Sequence, residues 1–334
     1  MALHDWLQRV WYGSASGGWL LRPFSWLFAA AIELRRLMYR TGMLPSGSAG
    51  RPVVVVGNLT AGGAGKTPMT LWLAEQLRGR GLRAGIASRG YGRISDREAL
   101  LVHPDDDPGR VGDEPLLMAR RQICPVVVCD RRLEAARRLE AEGVDVVLCD
   151  DGLQHYALRR DLEIAVVDGR RRFGNGRLLP AGPLREPATR LDTVDWRVCN
   201  GGRPAPGEIG MRLEGNRITR LGGSRTAAIS EFRGKRCHAV AAIGDPDRFF
   251  DMLRDAGLEV VPHPLPDHAT PRLSALGLPH GEPVMMTEKD AVKCSDGDRF
   301  DAWYLPVDAQ LDECANEIVD EIVRLCSKNV PRRG

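Results

Sequence analysis

A run of four valines, Val53–Val56, leads into Gly57-Asn-Leu-Thr60-Ala61-Gly62-Gly63-Ala64-Gly65-Lys66-Thr67-Pro68. Glycines at this density let successive backbone N–H groups turn inward around phosphate oxygens. A helix that starts at the lysine adds the partial positive charge of its N-terminus. Residues 60–67 therefore match a phosphate-binding P-loop, with Thr60 in place of the first glycine of G-x-x-x-x-G-K-[ST]. In that chemistry Lys66 reaches the β- and γ-phosphates of a nucleoside triphosphate, and the Thr67 hydroxyl holds Mg²⁺. Further along, Val144-Asp-Val-Val-Leu148 delivers Cys149-Asp150-Asp151-Gly152. Alone, an Asp-Gly pair at a strand end reads as a turn. After a P-loop, Asp150 and Asp151 read as the second Mg²⁺ anchor, because adjacent carboxylates are costly without a cation or a proton.

Such side chains need a rigid frame, and the sequence supplies one. From Pro52 onward, short β-rich runs (53–56, 84–87, 125–128, 144–148 and 163–167) alternate with helical patterns such as Pro68–Gly79 and Arg131–Glu142. Continuous apolar strands separated by helices predict an α/β fold, a P-loop NTPase-like parallel sheet with helices on both faces. Near Asn200 the texture changes to Gly-Gly-Arg-Pro-Ala-Pro-Gly, a domain-boundary composition. Beyond it the β/α pattern is sparser, with Ala239–Ile243 before a helix from about Pro246, and Val284–Thr287 before another element. A terminal helix is expected to carry Leu311, Cys314, Ala315, Ile318 and Ile322 on one stripe. The expected organisation is an N-terminal helical segment over 1–50, a P-loop domain over 51–200, and a smaller α/β lobe over 201–334, with a cleft between the lobes.

The 334 residues are long enough for two domains at about 150 residues each. With 43% hydrophobic and 27% charged residues the chain is globular, neither disordered nor collagen-like. A net charge of +3 gives no nucleic-acid footprint. The eight cysteines form no C-x-x-C pair and read as free thiols of a reducing compartment. Eight of the 19 aromatic residues lie within residues 1–50, among them Trp6, Trp11, Trp19, Phe24 and Trp26. From Phe24, Leu27, Phe28, Ala31, Leu34 and Met38 recur at helical spacing, with Glu33, Arg36 and Arg40 mostly opposite. The uncharged stretch 23–32 is too short to span a bilayer. The segment reads equally as a helix lying in a membrane interface or as one docked on the protein's own core.

The ordered motifs resemble those of the tetraacyldisaccharide 4′-kinases of lipid A biosynthesis over nearly the whole chain. Besides the P-loop they are Ser88-Arg-Gly-Tyr-Gly92, Gly112-Asp-Glu-Pro115, Asp150-Asp-Gly-Leu-Gln-His155 and Arg172-Phe-Gly-Asn-Gly176. Leu179-Pro-Ala-Gly-Pro-Leu-Arg-Glu186, Arg248-Phe-Phe250 and Met286-Thr-Glu-Lys-Asp-Ala-Val-Lys-Cys294 complete the set. The resemblance implies transfer of the ATP γ-phosphoryl group, with Mg²⁺, to the 4′-hydroxyl of a tetraacylated glucosamine disaccharide 1-phosphate. It implies that Asp113 accepts or orients the hydroxyl proton, supported by His268 from the second lobe. It places Tyr91 and Arg132 at the nucleotide and substrate phosphates, and Glu186 among the cation-binding groups of the cleft. It also tips the N-terminal segment towards a membrane-associating role, at the cytoplasmic face of the bacterial inner membrane. The expected partners are thus the acylated disaccharide and the lipids of that surface, with no nucleic acid and no obligate protein partner.

Other functions fit less well. A membrane-associated partitioning or switch ATPase carries an extra lysine early in its loop, where this chain has Ala61. A GTPase would use N-K-x-D for guanine, which Thr287-Glu288-Lys289-Asp290 matches only superficially. A non-catalytic lipid-binding protein has no use for a P-loop with two carboxylates.

Overall fold

The computed structural model describes residues 2–13, 17–90, 93, 98–279 and 281–328. Helices α1 (Ala2–Tyr12) and α2 (Arg22–Arg40) precede β1 (Val53–Gly57). Next come α3 (Lys66–Gly79), β2 (Ala84–Ser88), β3 (Leu100–Leu101), α4 (Pro108–Val111), α5 (Asp113–Arg120) and β4 (Val126–Val128). They are followed by α6 (Arg132–Ala141), β5 (Val146–Asp150), β6 (Leu162–Asp168), β7 (Trp196–Asn200) and β8 (Ile209–Glu214). The second lobe holds β9 (Arg217–Arg220), β10 (Thr226–Ala228), β11 (Arg236–Ala241), α7 (Pro246–Asp255), β12 (Glu259–Pro264), β13 (Val284–Thr287), α8 (Glu288–Ala291) and β14 (Ala302–Leu305). After these run β15 (Asp308–Leu311) and α9 (Asn316–Lys328).

The first sheet has nine strands in the order β15-β8-β7-β6-β1-β5-β2-β4-β3, with only its edge strands β15 and β3 antiparallel. Strand β1 explains why both faces are covered. Val53 and Val55 join a core with Ala135 and Leu139 of α6. Val54 and Val56 point the other way, into a core with Met69, Leu73 and Leu77 of α3 and Ile318 and Ile322 of α9. Alternate side chains of a strand face opposite sides, so a strand between two helical layers must be apolar throughout. Each fully buried valine contributes about 1.5–3 kcal/mol. The second sheet runs β10-β9-β14-β13-β11-β12, and β12, β11, β13 and β14 are parallel.

The structure departs from the sequence expectation in the 201–334 segment. Strands β8 and β15 belong to the first sheet, and α9 packs against α3, so the second lobe proper is only 217–305. The glycine- and proline-rich stretch after Asn200 is a loop between two neighbouring strands of one sheet, not a boundary. Leu311 pairs with Met211 in β15, and Cys314 is exposed, so the buried stripe of the terminal helix starts at Ala315. All eight cysteines are free thiols, five of them buried.

The N-terminal helices lie on the first lobe by one side only. In α1, Val10 and Trp11 are buried, and the Trp11 indole N–H donates to the Pro180 carbonyl at 2.9 Å. In α2 only Ser25 is buried; its hydroxyl donates to Leu178 and accepts from the Ala181 N–H. Trp19, Phe24, Trp26, Leu27, Leu34 and Leu37 are all more than half exposed. Among the described residues, no helix is long and apolar enough to cross a membrane.

Candidate active site

The carboxyl ends of both parallel sheets open on one cleft. In the first lobe β1 lies beside β5, in a register that sets Val56 opposite Asp150, so the P-loop and the acidic strand end emerge side by side. Gly65 adopts φ +94°, a left-handed conformation that favours glycine, and it caps α3 so that Lys66 is the first helical residue. The Lys66 ammonium lies 3.1 Å from Asn58 Oδ1 and 3.5 Å from Asp151 Oδ1. The loop backbone is pinned from three sides. Asn58 Nδ2 donates to the Thr60 carbonyl, Asn200 Nδ2 to the Ala64 carbonyl, and Arg171 to the Gly63 carbonyl. Arg171 also donates to the Gly244 carbonyl at 2.9 Å, tying the P-loop to the second lobe.

The two aspartates divide their roles. Asp151, at φ +49°, receives both contacts of Arg185 at 3.1 Å. Burial raises its pKa, but Lys66 and then Arg185 outweigh this and hold it well below the usual carboxylate range. Asp150 is 2% exposed, and its carboxylate accepts from the Thr70 hydroxyl at 3.3 Å. Burial, then the negative charge of Glu114, pushes its carboxyl well above the ordinary value despite Lys66. A buried carboxylate that resists ionisation beside the P-loop lysine has donor chemistry suited to a hard divalent cation held partly by phosphate and water. Among the described residues no three His, Cys, Asp or Glu side chains converge into a ready-made metal cage. Thr67 and Asp150 fit Mg²⁺ in the P-loop manner, in which the bound phosphates complete the shell.

Of the remaining residues of the sequence expectation, Glu186 lies apart from these groups and Arg132 lies beside them. Glu186 is buried; it accepts from the Tyr156 hydroxyl and lies 3.5 Å from Arg190, with no contact to Thr67, Asp150 or Asp151. Arg132 is buried at the acidic strand end, where its guanidinium donates to the Cys129 and Asp150 carbonyls and its charge opposes protonation of Asp150 and Asp151. Tyr91 lies outside the described residues.

Across the cleft, Asp113 opens α5 and His268 follows β12. His268 Nδ1 lies 3.1 Å from Asp113 Oδ2, although 155 positions separate them. Asp113 Oδ1 accepts from the Glu114 N–H at 2.9 Å, while the N-cap position of α5 belongs to Gly112. His268 stands at φ +62°, a backbone state that costs an L residue energy and collects at functional sites. Burial raises the Asp113 pKa, but the His268 hydrogen bond and the neighbouring Lys289 and Lys293 bring it down to about 2. Lys289 bonds Glu114 Oε1 at 2.9 Å, and Arg121 holds Glu288 through two contacts of 2.7 Å, so these pairs too bridge the lobes here. The guanine-like tetrad 287–290 instead starts α8. Thr287 Oγ1 donates to Asp290, which also accepts from the Ala242 N–H.

Asn58, Asn200, Arg171 and Arg185 escape sequence reasoning because their types are common at strand ends and on surfaces. Only the fold brings them to the loop. Lys289 and Lys293 do carry a signal, since four-residue spacing puts two lysines on one face of a helical turn.

A P-loop at a sheet's carboxyl end, an acidic strand end beside it and a carboxylate–imidazole pair across the cleft define a P-loop phosphotransferase. More narrowly, the chain belongs to the tetraacyldisaccharide-1-P 4′-kinase family, LpxK, whose family model matches residues 17–324. It is 45% identical to the tetraacyldisaccharide 4′-kinase of Methylobacillus flagellatus, across 97% of this chain and 98% of that one. It is 47% identical to that of Nitrosococcus oceani, across 91% and 90%. Among solved structures, LpxK from Aquifex aeolicus in complex with ATP matches with a TM-score of 0.76 and 28% identity, covering 92% of this chain and 99% of that one.

Proposed function

We propose that this protein transfers the γ-phosphoryl group of ATP to the 4′-hydroxyl of a tetraacylated glucosamine disaccharide 1-phosphate. The observation that carries this reading is the Asp113–His268 contact, which sets a general base from one lobe against an imidazole from the other, in the cleft that the P-loop borders. Backbone N–H groups of residues 60–67 and the Lys66 ammonium hold the triphosphate and stabilise charge that develops in transfer. Mg²⁺, held by Thr67 and Asp150, would neutralise phosphate charge. Asp113 takes the 4′-hydroxyl proton as that oxygen bonds to the γ-phosphorus and ADP leaves. An acceptor methylated at its 4′-oxygen should bind and receive no phosphate. Labelling of that compound would place the transfer at another oxygen and defeat the assignment.

The membrane reading rests on the outer face of residues 19–20 and α2. Trp26 and Leu27 are each 70% exposed and Trp19 64%, with Arg22, Arg35 and Arg40 exposed among them. Aromatic residues with interleaved arginines suit an anionic bilayer interface, here the cytoplasmic face of the inner membrane. A groove of about 490 Å³ beside α2, bordered by Ser25, Trp26, Leu178 and Leu184, is suited to acyl chains. Removing the N-terminus would also strip the Trp11 and Ser25 contacts, so a triple substitution of Trp19, Trp26 and Leu27 to serine is the cleaner test. Vesicle affinity should fall at least about tenfold, since each large apolar group contributes roughly 1.5–3 kcal/mol when buried. Unchanged co-sedimentation with anionic vesicles would place the anchor elsewhere.

A further inference from the structure

We propose that Lys289 and Lys293, rather than a protonated His268, supply the positive charge that keeps Asp113 ionised, and that Lys289 fixes His268 in its neutral Nδ1–H tautomer. The inference rests on the phosphotransfer reading above and deepens it by assigning two positioning residues.

The geometry is specific. Lys289 Nζ lies 3.3 Å from His268 Nε2, and His268 Nδ1 lies 3.1 Å from Asp113 Oδ2. An ammonium group only donates, so the nitrogen facing it must present its lone pair. The ring proton then sits on Nδ1 and is donated to Asp113. A second ring proton, on Nε2, would set two donors and two cations against each other. The charge comes from elsewhere: Lys293 Nζ stands 3.4 Å from Asp113 Oδ2, and Lys289 Nζ stands 3.9 Å from the same oxygen. The Lys293 side chain is only 8% exposed, and it also lies 3.4 Å from Asp290 Oδ1.

The other charges around the pair, among the described residues, leave this balance standing. Glu114, on the same helix as Asp113, binds Lys289 from its other side. Asp267 Oδ1 approaches His268 Nε2 only to 3.9 Å, farther than Lys289. On α4, Arg110 turns outward to Asp106. On the P-loop side, Lys66 faces Asp151, and Asp150 feels Glu114. Two lysines therefore face Asp113 directly, one of them held in place by Asp290. In this arrangement Asp113 takes up the acceptor's proton without an imidazolium forming, and His268 orients the carboxylate.

Two measurements on the full chain test this. The first is ¹⁵N NMR of histidine-labelled protein between pH 6 and 8, with the His268 signal assigned among the seven histidines by its loss in His268→Gln. His268 should appear neutral and protonated on Nδ1, and Lys289→Met should shift it towards the Nε2–H tautomer or the imidazolium. An imidazolium signal in the unaltered protein at pH 7 overturns the proposal. The second is the pH profile of kcat/KM. Loss of a nearby cation raises a carboxyl pKa by about 1–3 units. Lys293→Met should therefore raise the acid limb by that amount, and Lys293→Arg should restore it. Lysine variants that lower kcat equally at every pH, with the limb unmoved, would show a merely structural role and overturn the proposal. So would a His268→Gln limb shift as large as that of Lys293→Met. The NMR arm needs no turnover, so a protein without kinase activity would defeat the proposed function while leaving this result readable.

Discussion

Replacing Lys66 with alanine will lower kcat by on the order of 10²–10³-fold or more while leaving the far-ultraviolet circular dichroism unchanged. The ammonium is the one side-chain cation that the P-loop itself brings to the phosphates, and its partners in this structure are Asn58 and Asp151. Charge developing on the β- and γ-phosphates meets it in a site shielded from water, where its loss is felt most. The fold should survive, because Asp151 retains both contacts of Arg185. The Asp150 carboxyl will become still harder to ionise, since Lys66 is the cation that most opposes its burial and the charge of Glu114. The variant should therefore need more Mg²⁺ for whatever turnover remains. Activity within tenfold of the unaltered protein, with the fold intact, would contradict the P-loop assignment.

Asp113→Ala and His268→Ala should each lower kcat by on the order of 10²–10⁴-fold with little change in the KM for ATP. Their contact at 3.1 Å makes them one functional unit, so the double variant should be scarcely worse than the poorer single one. Asp113 titrates near 2 because cations and a hydrogen bond outweigh its burial. Its folded pKa is depressed, so any stability it gives is present above the unfolded value of 3.8 and is lost as pH falls towards 2. In the unaltered protein, then, no loss of activity between pH 5 and 9 should arise from Asp113 (the range lies above both values). The backbone of His268 complicates one control, since alanine at φ +62° is itself strained. His268→Gly removes that strain and should be no more active than His268→Ala. Losses that multiply in the double variant would show two independent residues.

Much of this architecture is legible in the chain. Apolar runs at 53–56, 144–148 and 163–167 read as interior parallel strands, and the loop after the first reads as a phosphate loop. What was hidden is what long-range pairing decides. The four-residue strand 308–311 pairs with β8, and α9 then covers the same core as α3, so the terminal segment crosses back to the first lobe. No local pattern announces such a return, because an amphipathic helix fits either lobe. The partners of individual side chains were hidden for a similar reason. Glu186 bonds Tyr156 and lies beside Arg190 because a buried carboxylate takes the nearest donors, whatever its place in a motif. Arg132 also takes backbone partners, the Cys129 and Asp150 carbonyls, which hold it at the acidic strand end. The N-terminal segment docks on the first lobe through Trp11 and Ser25, as one of its two sequence expectations had it, while Trp26 and Leu27 face outward.

The most direct test of the account incubates the protein with γ-labelled ATP, Mg²⁺ and the tetraacylated disaccharide 1-phosphate, and follows the label into lipid and into free phosphate. The site predicts label in the lipid, as a new phosphate at the 4′-position, with lipid labelling lost in Lys66→Ala and Asp113→Ala. Label released only as free phosphate, at a rate indifferent to the acceptor, would mark a nucleotide switch and contradict it.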